Sequence, residues 1–221
     1  MTGPLALVGG AEWREGCTFD RTLLAESGGD EVLILPTASA YEHPERAVTW
    51  AEHWFAGLGA KARGLMVLSR PDAEDEANVA AIREARFIYL SGGSPLHLRS
   101  VLKDSAAWDA LCAAWQDGAV LAGSSAGAMA LCDPMVDPRG GAFTLGLGLL
   151  AQVAIIPHHN TWSTEKAKRT ITLAAPGVPV VAIDERTALM RGGDGEWSVD
   201  GAGSVIVFVD GHEAGLEALP T

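Results

Sequence analysis

Short apolar runs alternate along this chain with longer segments in which hydrophobic positions recur at helical spacing. Runs bounded by Gly, Pro or charged residues are typical of buried strands, and the longer segments are typical of amphipathic helices. This alternation predicts an α/β fold, with a mostly parallel sheet flanked by helices on both faces. The predicted strands are Leu5–Val8, Val32–Leu35, Gly64–Leu68, Arg86–Leu90, Gly118–Gly123, Val153–Ile156, Val180–Ile183, Ala188–Arg191 and Val205–Val209.

Helices are predicted between these strands. They cover Pro44–Leu58, about 73–85, a segment capped by Ser105, and about Ser163–Leu173. In the first helix, one buried face is expected to contain Ala47, Trp50, Ala51, Trp54, Phe55 and Leu58. With 221 residues, 48% of them hydrophobic, and no repeat or linker, the chain is predicted to form a single α/β domain over residues 1–221.

A serine between two glycines follows the strand that ends at Gly123. The pattern Gly-x-Ser-x-Gly, placed between a strand and a helix-forming segment, predicts a nucleophile elbow with Ser125 at its tip. Such a tight turn strains the serine backbone and exposes its hydroxyl. The N–H of Ala126, at the helix start, is then expected to stabilise negative charge on a substrate oxygen.

A serine nucleophile needs a base, which is usually histidine. Among six histidines, His158 is best placed because it follows the apolar run Val153–Ile156 and should emerge at a strand end. Its neighbour His159 is an alternative on these grounds. The acid that orients the base is expected from Asp184 or Glu185, which follow another buried strand and should point to opposite faces.

Two further features bear on these roles. Asp133 and Asp137, soon after the elbow, are alternative acids. Gly92-Gly93 ends the strand before the elbow strand, where a backbone can approach a substrate closely. The N–H of Gly93 is therefore expected to be the second oxyanion donor.

Four landmarks, in order along most of the chain, resemble the dipeptidase E and cyanophycinase family of serine peptidases, which has a class I glutamine amidotransferase-like fold. The landmarks are Gly92-Gly93, the Gly-x-Ser-Ala-Gly-Ala segment from Gly123, Gly-Leu-Gly-Leu-Leu from Gly146, and Ile183-Asp184-Glu185 followed by Thr187-Ala188-Leu189. The resemblance implies Ser125 as the nucleophile and His158, rather than His159, as the base.

The two branches of this family imply different acids. The cyanophycinase-like branch uses the glutamate of the Asp-Glu pair, here Glu185, whereas the dipeptidase E branch uses an aspartate soon after the elbow, where Asp137 lies nearest. We expect Glu185. The resemblance implies no metal or cofactor, and homodimers are common in the family, although the sequence leaves the oligomeric state open.

Departures from the family concern the substrate. Ser94-Pro95 stands where members commonly carry Asp or Asn and then Gln, and Asn160–Glu165 lacks the arginines that follow the histidine of cyanophycinases. Cyanophycin is therefore not the expected substrate. We expect a small peptide, as for an aspartyl dipeptidase, contacted by Gly92, Ser94 and His159.

Charge and composition narrow the function further. A formal net charge of −12 disfavours nucleic acid and acidic membrane surfaces as partners. Three scattered cysteines form no CxxC pair and suit a reducing compartment. The first residues lack a basic start and a long apolar core, so a signal peptide is not expected. The expectation is a soluble cytoplasmic protein.

Two other functions are compatible with the elbow. A carboxylesterase of the α/β-hydrolase type orders its triad serine, acid, histidine, and Ser125, Asp184 or Asp200, and His212 would satisfy that order. A catalytically silent binding module on an amidotransferase-like fold is the second alternative.

Overall fold

The computed structural model of the chain describes residues 2–220. Its strands are β1 (Leu5–Val8), β2 (Glu31–Leu35), β3 (Lys61–Gly64), β4 (Phe87–Leu90), β5 (Val120–Ser124), β6 (Cys132–Asp133), β7 (Met135–Val136), β8 (Phe143–Thr144), β9 (Leu150–Ala151), β10 (Ala154–Ile156), β11 (Val180–Ile183), β12 (Thr187–Arg191), β13 (Trp197–Gly201), β14 (Val205–Val209) and β15 (His212–Ala214). Its helices are α1 (Phe19–Ser27), α2 (Pro44–Gly57), α3 (Arg70–Ala73), α4 (Glu76–Glu84), α5 (Pro95–Leu102), α6 (Ala106–Gln116), α7 (Ala126–Leu131) and α8 (Thr164–Thr172).

A seven-stranded sheet, in the order β13-β12-β1-β5-β4-β2-β3, forms the centre of the described chain. Strands β1, β5, β4, β2 and β3 run parallel to their neighbours, and β12 and β13 add an antiparallel edge. Parallel strands need crossover connections, and the helices between them supply these. The predicted mostly parallel α/β sheet is confirmed.

Alternating residues of the central strands pack into two cores, one on each face of the sheet. Leu5, Leu7, Ile88 and Leu90 belong to the core that contains α5, α6 and α7. Ala6, Val8, Phe87 and Tyr89 pack on the other face, with side chains of α1 and α2. Because both faces are covered, the strands are apolar throughout, which explains why they were visible as uninterrupted runs.

A second, four-stranded sheet has the order β10-β11-β14-β15. β10 and β11 are parallel, with Ala154 opposite Val180 and Ile156 opposite Ala182. Their carboxyl ends therefore emerge side by side. Residues of β10 and β11 share the core that contains Leu5 and Leu7 of the central sheet, so the two sheets are packed together.

Most predicted elements are confirmed within a residue or two, but three predictions were wrong and one strand was missed. β3 is Lys61–Gly64 rather than Gly64–Leu68, because this edge strand is half exposed and carries no apolar run. Trp50 is 55% exposed, because α2 buries Val48, Ala51 and Phe55 instead. The segment 73–85 contains α4 from Glu76 only, after a separate turn, α3. The chain between β12 and β14 includes β13, which was not predicted.

None of the helices between residues 2 and 220 combines the length and the apolar character that crossing a bilayer requires.

Candidate active site

Ser125 lies at a sharp turn between β5 and α7, with φ 49° and ψ −103°. Non-glycine residues rarely adopt positive φ, so this backbone is strained, as the elbow pattern predicts. The turn is held by the N–H of Ser125, which donates to the carbonyl of Val8 at 2.9 Å. A β-carbon on Gly127 would lie 2.6 Å from the carbonyl oxygen of Leu90, so the helix can approach the sheet this closely only with glycine there.

His158 follows β10 and places its imidazole against Ser125. Its Nε2 lies 2.8 Å from the hydroxyl oxygen of Ser125. The backbone N–H of His158 donates to the carbonyl of Gly9 at 2.7 Å, which ties the loop after β10 to the end of β1. The side chain is 31% exposed, so one part of the ring is open to the surface.

Glu185 follows β11 and contacts the other nitrogen of the same ring. Its Oε1 lies 2.8 Å from Nδ1 of His158, and its side chain is 29% exposed. Asn160 holds the backbone of this turn, because its Oδ1 accepts a hydrogen bond from the N–H of Glu185 at 3.0 Å. The hydroxyl of Ser125, the imidazole of His158 and the carboxylate of Glu185 thus form one continuous chain of contacts.

The neighbouring pair, His159 and Asp184, points elsewhere, as strand alternation predicts. Asp184 accepts hydrogen bonds from the N–H and hydroxyl of Ser204 at 3.0 and 2.8 Å. Nδ1 of His159 lies 3.5 Å from Asp184. The predicted contact of His159 with a substrate stays a prediction.

The other candidate acids and bases are engaged away from Ser125. Asp137 is paired with Arg139 at 2.6 Å, and hydrogen bonds from Arg139 lower the pKa of Asp137 to about 2. Asp133 accepts a hydrogen bond from the N–H of Gly146. Asp200 accepts one from the hydroxyl of Thr18, and His212 is exposed on β15. The serine–acid–histidine arrangement considered for an esterase is therefore not assembled around Ser125.

The predicted oxyanion donors lie at two converging loop ends. Ala126 is the first residue of α7, where helical N–H groups have no partner within the helix. The amides beside Gly93 are both engaged: that of Gly92 donates to Glu12 at 3.0 Å, and that of Ser94 donates to the carbonyl of Ala38 at 2.7 Å. Within residues 2–220, the Gly93 amide itself has no hydrogen-bond acceptor.

Ser94, predicted to contact a substrate, has a structural role as the N-cap of α5. Its hydroxyl oxygen accepts a hydrogen bond from the N–H of His97 at 3.3 Å. Its predicted substrate contact stays a prediction.

A cavity of about 270 Å³ adjoins Gly92 and Gly93. It is lined by side chains of both charges and by exposed aromatic surface, including Glu12, Arg14, Glu42, Arg46 and Trp50. The guanidinium of Arg46 lies 5.3 Å from the ring centre of Trp50, within the range of a cation–π contact. This cavity therefore offers a mixed-charge compartment next to the elbow.

The loop after β1 was recognised in the sequence only as the end of a strand, yet it contacts several parts of the site. Gly9 and Gly10 accept hydrogen bonds from the amides of His158 and Arg186. Glu12 accepts hydrogen bonds from Gly92 and Ser124. The sheet topology is what indicates that this loop belongs to the site. β1 lies beside β5 and runs parallel to it, so the carboxyl end of β1 must lie beside the elbow.

The cysteines are poor rivals to Ser125 as nucleophiles. All three thiols are free. Burial raises the pKa of Cys17 and of Cys112 to about 11, and burial also raises the pKa of Cys132. Since the thiolate is the reactive form, these thiols are largely unreactive at neutral pH. Within residues 2–220, no group of three or more His, Cys, Asp or Glu side chains converges as metal ligands would.

A strained serine whose hydroxyl lies 2.8 Å from an imidazole nitrogen is an arrangement typical of serine hydrolases. The model of peptidase family S51 matches residues 5–197, and the chain belongs to that family. It is therefore a serine-type peptidase, as the resemblance in its sequence predicts.

Individual relatives agree with the family. The chain is 28% identical over 218 residues to the cyanophycinase of Synechococcus elongatus, covering 93% of this chain and 67% of the relative. It is 27% identical over 206 residues to peptidase E of Citrobacter koseri, covering 87% of this chain and 86% of the relative. The crystal structure of a peptidase from an acI-B1 Actinobacterium superimposes with a TM-score of 0.85 at 31% identity, covering 97% of this chain and 93% of that one.

Proposed function

We propose that this protein hydrolyses short peptides through a Ser125–His158–Glu185 triad. The observation that carries the proposal is the unbroken pair of 2.8 Å contacts from Ser125 Oγ to His158 Nε2 and from His158 Nδ1 to Glu185. In this proposal His158 takes the proton of Ser125 as the hydroxyl attacks the peptide carbonyl. His158 then donates that proton to the leaving amine.

Glu185 holds the imidazole with its Nδ1–H toward the carboxylate, which leaves Nε2 free to accept the serine proton. Its negative charge also stabilises the imidazolium that forms during attack. The developing oxyanion is held by the amides of Gly93 and Ala126. Water then attacks the acyl-enzyme with His158 again as the base, and the second product leaves.

The neighbouring cavity can hold a residue of the substrate. Its volume is about 270 Å³, and it lies on the side of Gly92 and Gly93. Its lining carries both cations and carboxylates, which suits a residue with a free ammonium and an acidic group. Dipeptides with N-terminal aspartate are thus the first class to test, in line with the similarity to peptidase E.

The test is hydrolysis of a dipeptide library by the purified protein, with released amino acids identified by mass spectrometry. We expect cleavage of dipeptides, strongest for an acidic N-terminal residue, and labelling of Ser125 by a fluorophosphonate. Ser125→Ala should abolish both cleavage and labelling. His158→Ala should lower cleavage by at least about 10³-fold.

The matched control is His212→Ala, which removes an exposed histidine of β15 and should leave most activity. Loss of activity in His212→Ala with retention in His158→Ala would contradict the proposal and favour the esterase arrangement. Folded protein that neither cleaves peptides nor reacts with the fluorophosphonate would favour a silent binding module.

A further inference from the structure

Glu12, in the loop after β1, joins two other loops through one carboxylate. Its Oε1 accepts a hydrogen bond from the N–H of Gly92 at 3.0 Å, and its Oε2 accepts one from the hydroxyl of Ser124 at 2.7 Å. Hydrogen bonds to an ionised carboxylate are stronger than those between neutral groups. Because Gly92 follows β4 and Ser124 is the last residue of β5, these two hydrogen bonds connect the loop after β1 to the ends of β4 and β5.

Both partners of Glu12 directly precede residues of the proposed machinery. Gly92 precedes Gly93, whose amide is a proposed oxyanion donor, and Ser124 precedes the nucleophile Ser125. The distance between the two loop ends is short, since a β-carbon on Gly92 would lie 3.6 Å from Cβ of Ser125 and 3.3 Å from Oε1 of Glu12. Glu12 thus bridges the turn that presents the donor and the turn that presents the nucleophile.

The Gly92-Gly93 turn is held from two sides. The Ser94 amide is fixed to the carbonyl of Ala38 at 2.7 Å, and Glu12 fixes the Gly92 amide at the other end. Only the Gly93 amide between them lacks an acceptor within residues 2–220. An oxyanion donor acts only if it lies close to the position that the charged oxygen will occupy, so fixing its neighbours matters for the transition state.

We propose that Glu12 is a positioning residue, which clamps the Gly92-Gly93 turn against the nucleophile elbow and so aims the Gly93 amide at the oxyanion. The inference rests on the proposed function, because it assigns a role within the same reaction. Its effect is on transition-state stabilisation, so it should change kcat far more than KM.

A different role for the same side chain predicts a different result. Glu12 also lines the cavity beside Gly92, where its charge could bind the ammonium of a substrate. The clamp requires the shape and hydrogen-bonding atoms of Glu12, whereas binding of an ammonium requires its charge. Glutamine separates the two, because its oxygen can accept from the Gly92 amide while its NH₂ donates to the Ser124 hydroxyl.

The experiment compares Glu12→Ala with Glu12→Gln, using the best dipeptide from the library and the rate of fluorophosphonate labelling of Ser125. We expect Glu12→Ala to lower kcat by about 10- to 100-fold, with KM within about twofold, since a small misplacement of a catalytic group is costly. Labelling should slow in parallel. Glu12→Gln should stay within about threefold of the wild type on both measures.

The clamp is overturned if Glu12→Gln loses as much activity as Glu12→Ala and KM rises, which is the signature of ammonium binding. It is also overturned if Glu12→Ala retains wild-type kcat and labelling. Thermal unfolding of each variant shows whether the protein is folded. If Glu12→Ala does not fold, Ser124→Ala, which removes one of the two clamp bonds, must slow labelling several-fold; an unchanged rate then rejects the clamp.

The outcomes also distinguish this inference from the proposed function. If the wild type labels with fluorophosphonate but cleaves no peptide, the peptide substrate is wrong, and the labelling rates of the Glu12 variants still decide the clamp. If the wild type cleaves dipeptides and the Glu12 variants match it, only the clamp is wrong.

Discussion

The proposed nucleophile and its proposed partners are positioned by two regions of different construction. Ser125 lies at the end of β5, the middle strand of the seven-stranded sheet, whose residues are buried from Val120 to Ser124. His158 and Glu185 follow β10 and β11 of the smaller sheet, and their side chains are about one-third exposed. The first region is held by close backbone packing, and the second by hydrogen bonds between loops.

This difference explains how each region is encoded. The elbow requires small residues at fixed spacing, so nearly all its information lies within Gly123–Gly127. The imidazole instead depends on distant partners: the carbonyl of Gly9 holds its backbone, and Glu185 holds its ring. Changes in the second region should therefore alter catalysis while leaving the fold intact, which the following variants test.

The largest effect is expected for Glu185→Gln. Glutamine keeps the shape of the side chain but presents no charge, so the imidazole loses both the stabilisation of its protonated form and its fixed tautomer. We expect kcat for dipeptide cleavage to fall by about 10³-fold, with little change in thermal unfolding. Steady-state kinetics on the best dipeptide measures this.

Asp184→Asn and Asp137→Asn are the matched controls for the acid. Asp184 contacts Ser204 and His159, and Asp137 contacts Arg139, so neither touches His158. Both variants should retain kcat within about tenfold. A loss in Asp137→Asn comparable to that of Glu185→Gln would show that the acid comes from the segment after the elbow.

An intermediate effect is expected for Gly10→Ala. A β-carbon at Gly10 would lie 2.2 Å from Cε1 of His158, so the imidazole must shift from the position in which it contacts Ser125. A displacement of this kind should lower kcat by about 10- to 100-fold. Kinetics and the fluorophosphonate labelling rate measure it.

Gly118→Ala controls for the backbone cost of that substitution. Gly10 and Gly118 have similar positive φ values, 110° and 102°, but nothing lies within 4 Å of a β-carbon at Gly118. Gly118→Ala should therefore lower stability without slowing catalysis. Equal kinetic losses in the two variants would mean that backbone strain, and not the imidazole, is responsible.

The smallest effect is expected for Asp20→Asn and concerns the stability of the protein. Asp20 lies on the face of the central sheet that is opposite the four-stranded sheet. Asp20 is fully buried, and its Oδ2 accepts a hydrogen bond from Nε1 of Trp54 at 2.9 Å. Its Oδ1 has no partner within residues 2–220. Burial raises the pKa of Asp20 well above its ordinary value, although the hydrogen bond from Trp54 opposes this.

The pH dependence follows from that direction. Below about pH 4 the carboxyl group of Asp20 is protonated in both the folded and the unfolded protein. As the pH rises further, the unfolded chain releases this proton before the folded chain does, so the free energy of unfolding falls. Asp20→Asn removes this loss. Its melting temperature relative to the wild type should rise between pH 5 and pH 8, by about 2–4 °C for each kcal/mol of penalty removed.

Asp72→Asn is the control for this measurement. A hydrogen bond from Ser69 lowers the pKa of Asp72, so its contribution is lost only as the pH falls below about 4. The melting-temperature difference between Asp72→Asn and the wild type should stay constant between pH 5 and pH 8. A constant difference for Asp20→Asn as well would show that Asp20 ionises normally.

Local patterns were sufficient for the central sheet and for Ser125. Strands buried on both faces, such as Leu5–Val8, are apolar throughout and therefore stand out. The strand ends limited the base to His158 or His159 and the acid chiefly to Asp184 or Glu185. The family resemblance selected His158 and Glu185, and the structure brings both to Ser125. The pairing of β10 with β11, which makes the two ends adjacent, has no signature in the sequence.

The remaining parts depend on contacts between distant residues. Glu12 is one of many acidic residues in the sequence, and only the parallel pairing of β1 with β5 places it near Ser124. Trp50 has an apolar side chain on a helix, yet it faces the cavity beside Gly92 rather than the core. Side-chain type and helical spacing alone assign such residues wrongly.

The order in which the chain is synthesised gives the loop after β1 a further consequence. This loop leaves the ribosome before the segments that dock on it, around residues 158 and 185. A nascent chain that has folded only as far as the elbow would carry its serine without imidazole or carboxylate. With the proposed triad, proteolytic activity would thus begin only after the segments around residues 158 and 185 have been synthesised.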